Sequence, residues 1–227
     1  MNRQTPHSAD VLGSLPAERA NALFSKARAV VLNAGHNLFT EGDEAHGCYR
    51  VEEGLLKATI SAPNGSERIL AVLGSGAVIG ELAMIDGGTR SASVTALRDS
   101  KLIFVSRATF EAFVQGSTEL CRDLAVLMAR RVRETNTALT ATNFLSVKGR
   151  VASALLQLAE GFGRDVGSGR ILIRHKVSQN DLAAMAGVAR ENVSRAISDW
   201  SASSWLSRLA GYYCLENKKA IQDEVNL

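Results

Sequence analysis

The chain has 227 residues, 46% of them apolar and 22% charged, a globular balance that excludes a disordered chain. No apolar run approaches the roughly 20 residues of a membrane span; stretches such as Ile69–Leu73 are far shorter. The net charge of +3 does not by itself indicate a nucleic-acid partner, and after Gly149 ten Lys and Arg against eight Asp and Glu leave only +2. The three cysteines, Cys48, Cys121 and Cys214, lie far apart with no CxxC, which argues against a zinc site, an iron–sulfur cluster or a disulfide framework. Met1–Asp10 is polar and carries no apolar signal core, so a cytoplasmic protein with no membrane partner is expected.

Residues 11–30 place Leu15, Ala20, Leu23, Phe24 and Ala27 at helical spacing and predict a short helix or helix pair. From Val30 to Arg107 the pattern changes. Apolar runs of four to six residues are punctuated by Gly35, Gly42, Gly47, Gly54, Asn64-Gly65, Gly74–Gly76, Gly80 and Gly87-Gly88. Turn signals about ten residues apart predict an antiparallel sandwich or barrel of about eight strands, with Asn64-Gly65 as its clearest hairpin. At Arg107 the pattern turns helical: RATFEAFVQG reads as a short helix, and Ser117 as the N-cap of a second.

That second helix is predicted to run to about Leu145, since no Gly or Pro intervenes between Gly116 and Gly149. About 28 residues make a rod of roughly 42 Å. One apolar stripe is Leu120, Leu124 and Leu127. A second is Cys121, Ala125, Met128, Val132, Thr135, Leu139 and Thr142, in alternating steps of four and three. The second has the 3.5-residue period of a coiled-coil seam. Two apolar faces predict one face on the β-block and one on a second copy, the alternative being a helix buried inside a monomer. The chain is helical again over Arg150–Glu160, then GFGRDVGSG reads as a loop, ILIRHKV as a strand, two short helices follow, and LSRLAGYYCLEN reads as a hairpin turning at Ala210-Gly211. The boundary of this small α+β module falls near Leu145–Gly149.

Two segments carry chemistry. In SQNDLAAMAGVARENVSRAISDW, counting from Gln179, Ala183 falls at position five, Gly187 at nine and Val193 at fifteen, with Leu182, Ala186, Val188 and Ala196 on the inner side. A small residue where two helices touch, a glycine in the turn and a β-branched anchor are what a helix-turn-helix needs. Its second helix would turn Arg190, Glu191, Ser194 and Arg195 to solvent, and arginine and glutamate can read guanine and cytosine edges. The alternative is an ordinary helical hairpin with a solvated charged face. In IGELAMIDGGTRSASV, Glu81 could accept from a ribose hydroxyl and Arg90 could pair with a phosphate. Ser91 could add a donor there, and Gly80 would allow close backbone approach. The alternative is an exposed glycine-rich loop.

These two motifs, in this order about one long helix, resemble the CRP/FNR superfamily of bacterial transcription regulators, in particular its cyclic-AMP receptor branch, over about residues 30–215. The GELA–RSA segment is similar to the phosphate-binding cassette of cyclic-nucleotide-binding domains. The resemblance implies an α+β chain with a cyclic-nucleotide-binding, jelly-roll-like β-roll over 1–116, a dimerisation helix over 117–146 and a winged helix-turn-helix over 147–227. It implies that Glu81 binds the ribose 2′-hydroxyl, while Arg90, Ser91 and the backbone at Gly80–Leu82 bind the cyclic phosphate. Thr135 and Asn136 fall where the receptor's polar residues, one from each subunit, meet adenine, and would account for the polar break in the seam. Asn136 stands where the receptor branch has serine. Serine rather than threonine after Arg90 favours cyclic AMP over cyclic GMP.

Arg190, Glu191 and Arg195 match the receptor's base-contacting residues, Ser194 matches the FNR branch, and Ser178 and Gln179, at the start of the first helix of the pair, are expected to contact DNA as well. Implied partners are double-stranded DNA with an inverted repeat, a second copy of the chain, and RNA polymerase through the segment Gly161–Gly169. The cysteine cluster of the FNR oxygen sensors is absent, and His36 and His46 are expected at the surface rather than on a haem. No nucleophile elbow, P-loop or metal-ligand cluster is present, so an enzyme is not expected. The alternative within the family is a regulator that needs no nucleotide or senses another small molecule.

Overall fold

The computed structural model describes residues 16–115 and 117–225, with the backbone alone for 131, 134, 137–139 and 141–143. The expectations for Leu15 and for the side chains of Leu139 and Thr142 lie outside the described residues. The chain divides into two compact units that meet in sequence at Glu134 and Thr135.

The first unit opens with α1 (Ala17–Leu23), a short helix inside the 11–30 segment as expected, and the chain is already extended in β1 (Arg28–Leu32). A single sheet follows, built from β1, β2 (Asn37–Phe39), β3 (Gly47–Ser61), β4 (Glu67–Leu73), β5 (Val78–Ile79) and β6 (Ser93–Ser106), in the order β1-β6-β3-β4, with β2 on β6 and β5 on β3. Six strands, not about eight, make this block. The difference lies in Gly54, which reads as a turn in sequence but sits inside the 15-residue β3. There the pairing of β3 with β6 shifts register between Val51 and Leu56, so the chain bulges and bends instead of turning back. Gly54 has φ +112°, and a Cβ at this position would lie 2.1 Å from the Ser100 hydroxyl, so only glycine fits. The Asn64-Gly65 hairpin is found as expected: it joins β3 to β4, with the Ala62 amide donating to the Ser66 carbonyl.

Helix α2 (Leu82–Asp86) interrupts the sheet between β5 and β6, and α3 (Arg107–Gln115) follows it. The long helix α4 runs over Thr118–Phe144, with the Leu120 amide donating to the Ser117 hydroxyl in the expected cap. Its first apolar stripe, Leu120, Leu124 and Leu127, is buried in one core with Leu23, Phe24, Cys48, Met84, Val105 and Phe110. Its second face stays open: Cys121, Ala125, Val132 and Thr135 are exposed and Met128 is half-buried.

In the second unit α5 (Val147–Phe162) begins at a cap in which the Gly149 amide donates to the Ser146 hydroxyl. The segment expected as a loop after it is partly strand. β7 (Gly163–Asp165) pairs with β8 (Ile171–Ile173), because the turn between them is supplied by Gly167, Ser168 and Gly169, all at positive φ. Then come α6 (Gln179–Ala186), α7 (Arg190–Ala202), the wing strands β9 (Leu206–Leu209) and β10 (Tyr212–Leu215), and α8 (Lys218–Asp223). Ala210 and Gly211, both at positive φ, make the expected wing turn. The sheet order is β7-β8-β10-β9.

Leu120 is fully buried where α4 meets the β-block. Leu120→Ala is expected to lower stability by about 2–5 kcal/mol, read as a lower urea midpoint with an unchanged denaturant slope.

Candidate functional site

Arg90 is the centre of the first site. Its side chain enters the β-block and is only 5% exposed. Nη1 donates to the Gly80 carbonyl at 3.1 Å and Nη2 to the Gly47 carbonyl at 2.8 Å. The guanidinium also lies over the ring of Phe39, 4.2 Å from its centroid, and 5.9 Å from that of Tyr49. Its Nε, buried, has no hydrogen-bond partner among the described residues. The backbone is pinned as well: the Arg90 amide donates to the Asp43 carbonyl, and the Gly42 amide donates to the Arg90 carbonyl.

Glu81 precedes α2 and is fully buried. Its carboxylate acts electrostatically on Arg90: burial pulls the arginine's pKa down, while Tyr49, Cys48 and Glu81 push it back up. The same environment, burial first and the Glu81 charge second, pushes the Cys48 thiol up to about 12, so Cys48 is neutral filler beside the charged pair. Gly80 sits between them at φ +80°, and a Cβ there would lie 2.1 Å from Arg90 Nη1. The glycine is required twice, by its backbone conformation and by the arginine beside it.

A guanidinium has five N–H donors. Two are held by carbonyls here and the Nε donor has no partner among the described residues, in a buried cradle beside a buried carboxylate. A cationic fork for a phosphate next to an acceptor for a hydroxyl fits a cyclic nucleotide. Of the other expected ligand residues, Leu82 is half-buried at the start of α2 and Ser91 is exposed. Thr135 and Asn136 are exposed on α4, beyond the division at Glu134. Spacing gave no sign of Gly47, Phe39 or Tyr49, which come from β2 and β3 far away in sequence. A surface cavity of about 520 Å³ lies elsewhere on this unit, between Glu44, His46, Gly88 and Arg107, and none of Gly80, Glu81 and Arg90 lines it. His36 and His46 are exposed, as expected.

The second site is a helix pair. α6 is capped by Ser178, whose hydroxyl accepts from the Asp181 amide at 3.0 Å, and Gln179 is its first residue. Gly187 ends it in the left-handed conformation, φ +62°, and Arg150 Nη1 donates to the Gly187 carbonyl. Ala183, Val193 and Ala196 are buried at the helix contact, as the spacing requires, while Val188 is half-buried. Arg190, Glu191, Ser194 and Arg195 are all exposed on one side of α7. Its N-cap, Ala189, makes no side-chain cap bond.

Residues 29–117 match the family model of the cyclic nucleotide-binding domain, and residues 149–224 that of the Crp-like helix-turn-helix domain. The chain is 33% identical over 190 residues to a CRP-like cAMP-activated global transcriptional regulator of Mycobacterium tuberculosis, covering 84% of each chain. It is 37% identical over 184 residues to the cyclic AMP receptor protein of Thermus thermophilus, covering 81% of each. The chain belongs to the CRP/FNR superfamily of transcription regulators. FixK2 from Bradyrhizobium japonicum shares the fold, with a TM-score of 0.77 over 87% of this chain and 96% of that one, at 21% identity. As a CRP/FNR regulator the protein has a DNA-binding helix-turn-helix and a cyclic-nucleotide-binding domain, and its matched domains and relatives are regulators rather than enzymes. Among the described residues no helix is long and apolar enough to cross a membrane.

Gly80→Ala is expected to displace Arg90 and weaken cyclic-nucleotide binding at least about tenfold, equivalent to ~1.4 kcal/mol. Calorimetric titration checks this, with the circular dichroism of the sheet unchanged.

Proposed function

We propose that this regulator binds cyclic AMP and, as a homodimer, reads an inverted-repeat operator. The observation that carries the proposal is the coexistence in one chain of the buried Glu81–Arg90 cradle and the exposed Arg190–Glu191–Arg195 face. Cyclic AMP is favoured by serine at position 91 and by the cAMP-named relatives. In this reading Arg90, Ser91 and the backbone at Gly80–Leu82 hold the phosphate and Glu81 the ribose. Thr135 and Asn136 reach the adenine, one residue from each subunit.

The dimer is favoured by the second stripe of α4. Val132 is 59% exposed in a 3.5-residue apolar repeat, a face that a second copy of the helix would cover. The working domains are then 1–116 for the nucleotide, 117–146 for the dimer and 147–227 for DNA, with the β7–β8 hairpin as the RNA polymerase contact and the cytoplasm as the site of action. Two recognition helices related by a two-fold axis enter successive major grooves about 34 Å apart, so half-site centres fall ~10–11 base pairs apart. Where the nucleotide raises operator affinity, operator DNA must tighten nucleotide binding by the same factor.

Val132→Glu would bury an unpaired charge twice in a symmetric interface. Sedimentation is expected to show monomers or a dimer weakened at least about tenfold. An unaltered dimer would place the interface elsewhere.

Random-sequence selection with and without cyclic AMP or cyclic GMP tests the proposal as a whole. A palindrome is expected, enriched by cyclic AMP. Glu191→Ala is expected to relax one symmetric base pair by about 1–3 kcal/mol while leaving salt-dependent, non-specific binding in place. Enrichment indifferent to either nucleotide would favour a ligand-independent regulator, and no palindrome would remove the operator from the account.

A further inference from the structure

The C-terminal helix α8 has no role in the readings above, yet it ends against the reading helix. Trp200, near the C-terminal end of α7, is 1% exposed, and its indole has one donor that must be satisfied when buried. That donor, Nε1–H, reaches Glu224 Oε1 at 3.0 Å. The backbone of the same residue touches a different helix. A Cβ placed on Gly149, in the first turn of α5, would lie 2.7 Å from the Glu224 carbonyl oxygen. Glu224 is thus wedged between the start of α5 and the end of α7. The wedge is itself anchored: Ile221 is fully buried, and the Ala220 amide donates to the Asn217 side chain at the start of α8. Lys148 and Asp199 join the same two helix ends again, Nζ to Oδ2 at 2.6 Å, but this exposed ion pair is the weaker tie.

We propose that Glu224 is a positioning residue for operator reading, fixing the tilt of α7 against α5 through its bond to Trp200. The proposal rests on the DNA-reading role of α7. The lever arm gives it force. Arg190 lies ten residues before Trp200 on α7, about 15 Å along the axis. A tilt of about 10° at the Trp200 end moves Arg190 by roughly 2.6 Å, whereas a base-edge hydrogen bond tolerates only a few tenths of an ångström. Phosphate contacts, longer-ranged and dominated by charge, survive such a shift. Loss of the wedge therefore degrades discrimination before it degrades binding.

The test uses the full chain with cyclic AMP held constant. The probes are the inverted-repeat duplex that the wild-type protein selects from a random pool and a scrambled duplex of equal length. Glu224→Ala and Trp200→Phe are expected to lower the ratio of selected to scrambled affinity about tenfold, with scrambled affinity and its salt slope within about twofold of wild type. Glu224→Gln keeps the acceptor and is expected to hold the wild-type ratio within about twofold. A wild-type ratio in Glu224→Ala overturns the proposal. So does an equal loss on both duplexes, which marks a merely structural role, and so does Glu224→Gln behaving like Glu224→Ala. If the wild-type protein selects no sequence, the DNA-reading proposal falls first and takes this one with it.

Discussion

The guanidinium of Arg90 cannot shed its charge at any ordinary pH, and a buried charge without partners is among the most costly features a fold can contain. Much of the N-terminal unit is arranged to answer that constraint. β3 supplies the Gly47 carbonyl and the Tyr49 ring, β2 the Phe39 ring, and the turn after β5 the Gly80 carbonyl and the Glu81 carboxylate. Gly47 shows how tightly the surroundings close, since a Cβ there would meet the Val105 carbonyl at 2.1 Å. These partners make the cation tolerable but leave Nε without one. An anion entering the cradle therefore meets a charge whose desolvation has already been met during folding. In the proposed reading that anion is the cyclic phosphate.

Helices carry the consequence along the chain. α4 is held to the β-block by Leu120, Leu124 and Leu127, with Met128 packed at the edge of the same core. The helix is 27 residues long, with Cys121, Ala125, Val132 and Thr135 exposed on its other face; it stops at Phe144, and after two residues the chain starts again as α5 with its own cap at Ser146. A capped restart is a defined joint: only Leu145 and Ser146 separate the two helices, and the second opens on its own cap. On the far side of the joint, Gly149 meets Glu224, which bonds Trp200 near the end of α7, and Arg150 meets Gly187, so the first turn of α5 touches the turn of the helix-turn-helix and, through Glu224, the end of α7.

Contacts that are local in sequence were legible from it; the others were not. The helix-turn-helix is written in about twenty consecutive residues, because its packing rules act between positions a few residues apart, and Ala183, Gly187 and Val193 play the parts their spacing assigns. The Glu81–Arg90 pair was legible for the same reason, nine residues apart on either side of one short helix. The Phe39 and Tyr49 rings were not, since nothing local tells a strand aromatic that it will face an arginine 41 or 51 positions later. Gly54 misled in the other direction. A glycine that permits positive φ serves a turn or a bulge equally well, and only the pairing of β3 with β6 separates the two. α8 is short and lies beyond the wing. Its worth depends on Trp200 and Gly149, which sequence distance hides.

The two sites handle charge in opposite ways, and this bears on how one can govern the other. Arg90 is 5% exposed, inside low-dielectric surroundings where ionic strength has little reach, whereas Arg190, Glu191 and Arg195 stand in solvent on α7, where salt screens them. Ligand occupancy is then set by chemistry and concentration, while the non-specific part of DNA affinity is set by salt. Over more than the Debye length of about 8 Å at physiological salt, an electrostatic field through solvent is largely screened. The coupling proposed above would therefore have to run through packed contacts. Screening limits the electrostatic route but leaves packed contacts untouched, so a regulator built this way can keep the same response while the salt around its DNA varies.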